Sequence, residues 1–413
     1  MCQVQDGEPV LTKTPVKLSN VCAKCEEKAI IVIGTNGTFC RECFLKYFSH
    51  KFRASMGKNP VVRHGDQVLL AYSGGINSSA LLHLIQEGSS PNAVRKLKFQ
   101  TGVIFIDERS VVSDNNSDHY VEEIKQILSS CGFPHYIVKL EDVYDFGDID
   151  ESFQDCSGDG NSNEEKLSKL LESAKTLSSK MELISRLRTC LLSLKARALR
   201  YDHVFLGETC SRIAVNILSN VALGRGVHIP QDSGFSNSNQ IGEKGVNILR
   251  PLRDISSKEV VVYNMVSKVQ TVFIPNLSTA QKPMCSIQRL TEDFMKNLVA
   301  GYPATETTVY RTSNKLKANQ SKSVDAAGKN KKCLICCGII DCAIQVDQVS
   351  AVADTALSAA VSNGNHERNG DFSNLFENFG DVDFIASAKQ LCYACNVMSK
   401  ELQTSVNNVW PKY

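Results

Sequence analysis

Eight of the sixteen cysteines stand in pairs of the form Cys-x2-Cys. Cys22-Ala-Lys-Cys25 and Cys40-Arg-Glu-Cys43 lie fourteen residues apart. A tetrahedral ion needs four soft ligands at one point, and two tight knuckles each offer a pair of thiolates from a turn. This spacing predicts a structural zinc ribbon, with the ion in place of a core that so short a segment cannot build. Cys333-Leu-Ile-Cys336 and Cys392-Tyr-Ala-Cys395 repeat the arrangement across a much longer gap, and they predict a second zinc module. Cys337 and Cys342 are competing ligands there.

A third stretch could hold phosphate. Ser73-Gly-Gly-Ile-Asn-Ser-Ser79 follows an apolar run ending at Tyr72 and precedes a helical pattern starting near Ala80. Glycines let backbone N–H groups turn inward, a helix N-terminus adds its positive end, and Ser73 and Ser78 add hydroxyls. The loop lacks the Gly-Lys-Ser/Thr ending of the Walker type.

The elements that must position these groups are legible as a pattern. Gln67–Tyr72, Thr101–Asp107, His135–Leu140 and His203–Gly207 are short apolar runs that read as buried strands. Between them lie helix-period segments, Ala80–Glu87, His119–Ser129 and Lys166–Arg200. Strands alternating with helices predict right-handed crossovers and a doubly wound parallel sheet, an α/β fold. Three zones follow: residues 1–60, a Cys-rich ribbon ending in the basic segment Lys46–Lys58; 61–310, the α/β domain; and 311–413, a basic linker with a Cys-rich module. Asp145–Asn163, acidic and rich in Gly and Ser, reads as a surface loop, and Ser350–Gly370 as a mobile stretch.

The formal net charge of +2 conceals a local excess. Arg311 to Lys332 holds seven basic residues against one acid, and Lys329, Lys331 and Lys332 close it as a candidate contact to a nucleic-acid phosphate backbone. No run approaches the length needed to span a bilayer, so no membrane partner is expected. The first residues have neither a basic nor an apolar signal region, and clustered thiols fit a reducing compartment, so the expected location is cytoplasmic.

The loop resembles the pyrophosphate-binding loop of the ATP-pyrophosphatase (PP-loop, adenine nucleotide alpha-hydrolase-like) superfamily, whose usual form is Ser-Gly-Gly-x-Asp-Ser. A four-Cys ribbon before it and a Cys-pair module after it are similar in order to the tRNA 2-thiolation branch. Leu206–Ala214, Leu223-Gly-Arg-Gly226 and Arg250-Pro-Leu-Arg-Asp254 look like its second subunit, the cytoplasmic tRNA 2-thiolation protein 2 family. The resemblance implies a heterodimer with a catalytic sister subunit, which 2-thiolates the wobble uridine of tRNAs for Lys, Glu and Gln. ATP would adenylate the uridine C2 oxygen, and a thiocarboxylated ubiquitin-related carrier protein would supply the sulfur.

The departures are as informative. The catalytic sister carries a Cys-x-x-Cys at the start of a core helix and a later third Cys, taken to hold an iron–sulfur cluster or the sulfur. Here that helix reads Arg188-Thr-Cys190-Leu-Leu-Ser193, the later segment Thr271–Asn276 has no cysteine, and Cys285 does not align. Asn77 stands where the loop's Asp would be. The resemblance therefore implies a tRNA-binding, structural subunit with a vestigial loop at Ser73, Gly74, Gly75 and Ser78. Zinc is expected, ATP is doubtful, and neither an iron–sulfur cluster nor a catalytic residue is expected. Two other readings are an active ATP-dependent sulfurtransferase and a nucleotide-sensing zinc-ribbon adaptor.

Overall fold

A computed structural model describes residues 20–33, 37–93, 95–112, 117–145, 160–239, 245–277, 285–316, 332–338, 340, 391–402, 410 and 411. The central sheet has six strands: β3 (Gln67–Ala71), β4 (Gln100–Asp107), β5 (His135–Lys139), β6 (His203–Leu206), β7 (Ser236–Asn239) and β8 (Val246–Leu249). Their order is β5-β4-β3-β6-β8-β7, parallel throughout except for β7, which runs antiparallel along β8. The apolar runs are continuous because both faces are covered. Val68, Leu70, Val103 and Phe105 point to one core, while Leu69 and Ile104 point to the other.

Each face takes one set of helices. The first core receives α1 (Arg41–Lys58), α2 (Ile76–Ser89), α3 (Ser117–Ser130) and α8 (Ser257–Ser267). In α1, Phe44, Phe48 and Phe52 recur every four residues and are fully buried, so the basic segment Lys46–Lys58 is one face of an amphipathic helix. The second core receives α4 (Gly160–Ser173) and α5 (Leu177–Ala198). The single helical pattern expected over 166–200 is thus two helices. Ala174 instead bridges to Leu402, and the Thr176 side chain accepts from Ser179 N–H to start α5 afresh.

Helices α6 (Cys210–Ala222), α7 (Ile229–Ser233), α9 (Ile287–Gly301) and α10 (Thr305–Ser313) gather beyond the carboxyl ends of the strands, where α6 packs against α9 and α10. A last helix, here α11 (Tyr393–Glu401), packs on the second core. Gly160–Asn163 are helical, while 146–159 and Ser350–Gly370 lie outside the described residues. Among the described residues, no helix is long and apolar enough to cross a membrane.

Candidate functional site

The first cysteine group is built by a hairpin and a helix start. Strands β1 (Ile31–Ile33) and β2 (Gly37–Phe39) pair antiparallel and bring the second knuckle beside the first. Cys22, Cys25, Cys40 and Cys43 place their sulfurs within 4.8 Å of one another. Cys25 Sγ is 3.6 Å from both Cys40 Sγ and Cys43 Sγ. Around an ion with bonds of about 2.3 Å, a regular tetrahedron has edges of about 3.8 Å, so the group fits one metal ion. Packed this closely, the thiols divide: burial would raise Cys22, but backbone hydrogen bonds outweigh it and bring that thiol down to about 6, while hydrogen bonding with Cys25, then burial, pushes Cys43 up to about 12 and keeps it protonated. A divalent cation between them would reverse that preference.

The second group is a structural echo of the first. Cys333, Cys336, Cys392 and Cys395 also lie within 4.8 Å of one another, with Cys336 Sγ 3.7 Å from Cys392 Sγ. In both groups the later pair sits at a helix start. Cys40 is the N-cap of α1 with Cys43 in its first turn, and Cys392 is the N-cap of α11 with Cys395 in its first turn. The positive end of the helix favours thiolate there. Cys337, at φ +54°, points its backbone N–H to Cys333 O and stays outside the group, while Cys342 lies outside the described residues.

The glycine turn lies at the carboxyl end of β3, next to β6, where the strand order reverses and open α/β sheets bind ligands. Its donors are turned inward, however. Ser73 N–H donates to Ser78 Oγ at 3.2 Å, Ser78 Oγ donates to Gly75 O at 3.1 Å, and Ser79 Oγ donates to Gly74 O at 3.1 Å. The segment after α8 lies on top: Val272, 3% exposed, donates its N–H to Gly74 O at 2.9 Å. Gly207 closes the other side, since a Cβ there would meet Ser78 N at 3.0 Å.

Beyond the strand ends is a cavity of about 350 Å³ that none of Ser73–Ser79 lines. Its mouth carries two ion pairs, Arg188 to Glu108 at 2.6 Å and Arg250 to Glu208. Its inner wall reaches Cys336 of the second cysteine group. There, Arg225 Nη1 lies 2.6 Å from Glu182 Oε1 and 4.0 Å from Cys395 Sγ, and Arg186 shares the same carboxylate at 2.8 Å. Burial alone would raise the Glu182 carboxyl, but the two guanidiniums hold it below the usual range.

Lys332 is exposed beside the second group, whereas Lys329 and Lys331 lie outside the described residues. Cys190 is 4% exposed in α5, within the core formed by Leu187, Leu191 and Leu194.

Comparison with known proteins agrees with this arrangement. Residues 286–397 match the family model described as cytoplasmic tRNA 2-thiolation protein 2. The Danio rerio protein of that name is 36% identical, over 95% of this chain and 85% of its own length. The Homo sapiens protein of that name is 34% identical, over 88% of this chain and 80% of its own.

The chain belongs to the cytoplasmic tRNA 2-thiolation protein 2 family.

Its fold is that of a solved thiolase. The U34-tRNA thiolase NcsA from Methanococcus maripaludis, with its [4Fe-4S] cluster, superposes with a TM-score of 0.55 at 17% identity. The match covers 86% of this chain and 99% of that one. A role in cytoplasmic tRNA 2-thiolation follows for this family member. What sequence reasoning missed is the cavity. Arg212, Arg225 and Arg250 stood in stretches that read only as marks of resemblance, and nothing in their spacing shows that separate elements bring them together.

Proposed function

We propose that this chain is the structural, tRNA-binding partner of a catalytic sister subunit, in a cytosolic complex that 2-thiolates the wobble uridine of tRNAs for Lys, Glu and Gln. Sulfur would come from a thiocarboxylated ubiquitin-related carrier protein. The observation that carries the reading is the closed glycine turn. Ser73 N–H and the Ser78 hydroxyl are engaged within the turn and Val272 packs on Gly74, so two of the donors that would meet a pyrophosphate are already in use. Oxygen on carbon leaves poorly, so a thiolase needs nucleotide activation and a sulfur carrier. Here the turn is closed, and Cys190 stands in a core helix as one thiol without the Cys-x-x-Cys partner.

Both cysteine groups are proposed to hold zinc. Sulfur separations of 3.6–3.7 Å suit one tetrahedral ion. A four-iron cluster ties each thiolate to a different iron and sets the sulfurs much farther apart. The basic residues Lys329, Lys331 and Lys332 are proposed to contact the tRNA backbone, and replacing all three with Gln should weaken binding and flatten its salt dependence.

The test is reconstitution. This chain, the sister subunit and the two together are assayed for 2-thiouridine on tRNA with ATP and the sulfur donor. Thiolation is expected only when the sister is present, and tRNA binding is expected for this chain alone. Thiolation by this chain alone would overturn the reading.

A further inference from the structure

The two ends of the central sheet differ in how their charges are matched. At the carboxyl end, three arginines that line the cavity already meet acids: Arg188 pairs with Glu108, Arg250 with Glu208, and Arg225 with Glu182. At the amino end, three strand starts bring cations together without such partners. Arg63 lies in the turn before β3, Arg95, Lys96 and Lys98 in the loop before β4, and Arg200 in the turn before β6. Arg53 of α1 joins them, donating from Nη1 to Arg95 O at 2.7 Å. All but Arg53 are exposed, and among the described residues none of the six forms an ion pair.

Backbone hydrogen bonds hold these segments against one another. Gly65 N–H donates to Lys98 O at 2.7 Å, and Gln100 N–H donates to Asp66 O at 2.9 Å. Asp202 N–H donates to Gln67 O at 2.9 Å and ties in the turn before β6. The three strands are neighbours in the sheet, about 4.8 Å apart, so the cations spread over a front of at least about 10 Å. Two acids stand on the same segments, and both are occupied within the turns. Asp66 Oδ2 accepts from Arg63 N–H at 2.7 Å and lies 3.0 Å from His203 Nε2, and Asp202 Oδ2 accepts from Gln67 N–H at 2.9 Å. Six cations less two acids still leave +4.

What this front lacks narrows its partner. Among the described residues, its segments expose no large apolar side chain. A protein interface is built around an apolar, aromatic-rich centre, and an unpaired nucleic-acid strand stacks its bases on aromatic rings. A cationic front with neither suits a regular line of phosphates, as on a base-paired helix held by backbone and shape. The bonds between the turns fix the backbone beneath the cations, so little is left to order on binding.

We infer that the amino end of the sheet docks the phosphate backbone of a base-paired RNA helix, through Arg53, Arg63, Arg95, Lys96, Lys98 and Arg200. The front lies at the opposite end of the sheet from the glycine turn, and without stacking rings it holds a helical arm, not an unpaired loop. That the helix belongs to tRNA rests on the tRNA-binding reading above; the polyanion-binding front does not.

Fluorescence anisotropy of labelled tRNA with the full chain, from about 50 to 200 mM salt, tests the surface. An RNA duplex of about 16 base pairs should compete with tRNA, and an unstructured oligouridylate of equal charge should compete about tenfold less well. Arg95→Gln, Lys96→Gln and Lys98→Gln together should weaken tRNA binding about tenfold and lower the salt slope by about 2–3. Lys125→Gln, Lys169→Gln and Lys296→Gln together remove the same charge from exposed lysines that already pair with acids, and should leave both unchanged. An unchanged slope in the first triple variant, or an equal fall in the second, would overturn the surface while tRNA binding by the chain, and with it the proposed function, stands. Duplex binding without tRNA binding would sink the proposed function but not the surface. Competition by polyglutamate and not by duplex RNA would give the front to an acidic protein and overturn the inference.

Discussion

Val272 N–H donates to the carbonyl oxygen of Gly74 at 2.9 Å, and this bond ties the segment after α8 to the turn at the head of the sheet. Gly74 sits at φ +75°, and a Cβ there would come within 2.6 Å of Ile124 Cδ1. The turn is therefore held by packing on one side and by a strap on the other.

Gly74→Ala should cost about 2–3 kcal/mol, from a left-handed backbone and a clash that Ile124 must move to relieve. Urea unfolding followed by circular dichroism would measure it. Asn77→Asp is the companion variant. It restores the usual acid of the loop without moving Val272, so no ATP hydrolysis should appear. Pyrophosphate release on that single change would show that the turn opens readily.

Much of this arrangement was readable in advance, and the parts that were not share a cause. Strands β3, β4 and β6 announced themselves because a strand buried on both faces is apolar through its middle, whereas β5, expected to be buried, is an edge strand with only Val138 buried. The paired cysteines did so because a tetrahedral ion restricts their local spacing. Strands β7 and β8 did not, since Ser236–Asn239 is polar and gains its place only by pairing with Val246–Leu249. The covering of Gly74 by Val272 and the gathering of Arg212, Ser219 and Arg225 depend on tertiary packing, which no local pattern encodes.

The metal sites can be counted. The purified chain should carry two zinc ions and no stoichiometric iron by elemental mass spectrometry. Cys40→Ser and Cys392→Ser should each remove one ion and lower stability, because an open three-thiolate site holds its ion weakly. Arg225 adds a sharper test at the second group, where its guanidinium lies 4.0 Å from Cys395 Sγ and offsets the charge of four thiolates. Arg225→Met should speed zinc transfer to a chromophoric chelator roughly 10–100-fold from that group alone. Arg225→Lys should recover part of the loss. Equal release from both groups would mean that Arg225 has no hold on the ion.

Beside the core they share with the sheet domain, the N-terminal ribbon and its helix α1 are tied there by a buried carboxylate. Glu259 is 1% exposed and accepts from Lys51 Nζ at 2.8 Å, Tyr47 Oη at 2.7 Å and Ser256 N–H at 2.7 Å. Burial would raise its carboxyl, but Lys51 and these hydrogen bonds outweigh it and hold it below the usual range. A carboxyl depressed on folding stabilises the folded chain above its unfolded value of about 4.3, and that stability fades as pH falls through the folded value. Glu259→Gln keeps the capping geometry and removes the charge. It should cost about 2 kcal/mol at pH 7, less than a fully buried pair because Lys51 is partly exposed. The gap between the two proteins should narrow below pH 4, and a gap that is constant with pH would refute the charge argument.

Cys190 decides between a structural subunit and an enzyme. A sulfur-carrying thiol must ionise and meet its partner, which requires exposure and a cation or helix start nearby. Cys190 has the opposite setting, in the middle of α5 and packed into the core with Leu187, Leu191 and Leu194. Cys190→Ala should therefore behave as a core truncation, costing about 1–2 kcal/mol in unfolding and leaving wobble-uridine thiolation by the assembled complex within twofold. Cys190→Ser separates chemistry from packing, because it nearly preserves volume and removes only the sulfur. If that variant stays folded and sister-bound yet abolishes 2-thiouridine, Cys190 carries sulfur and this chain is catalytic. Full thiolation with the serine in place leaves the chemistry to the sister.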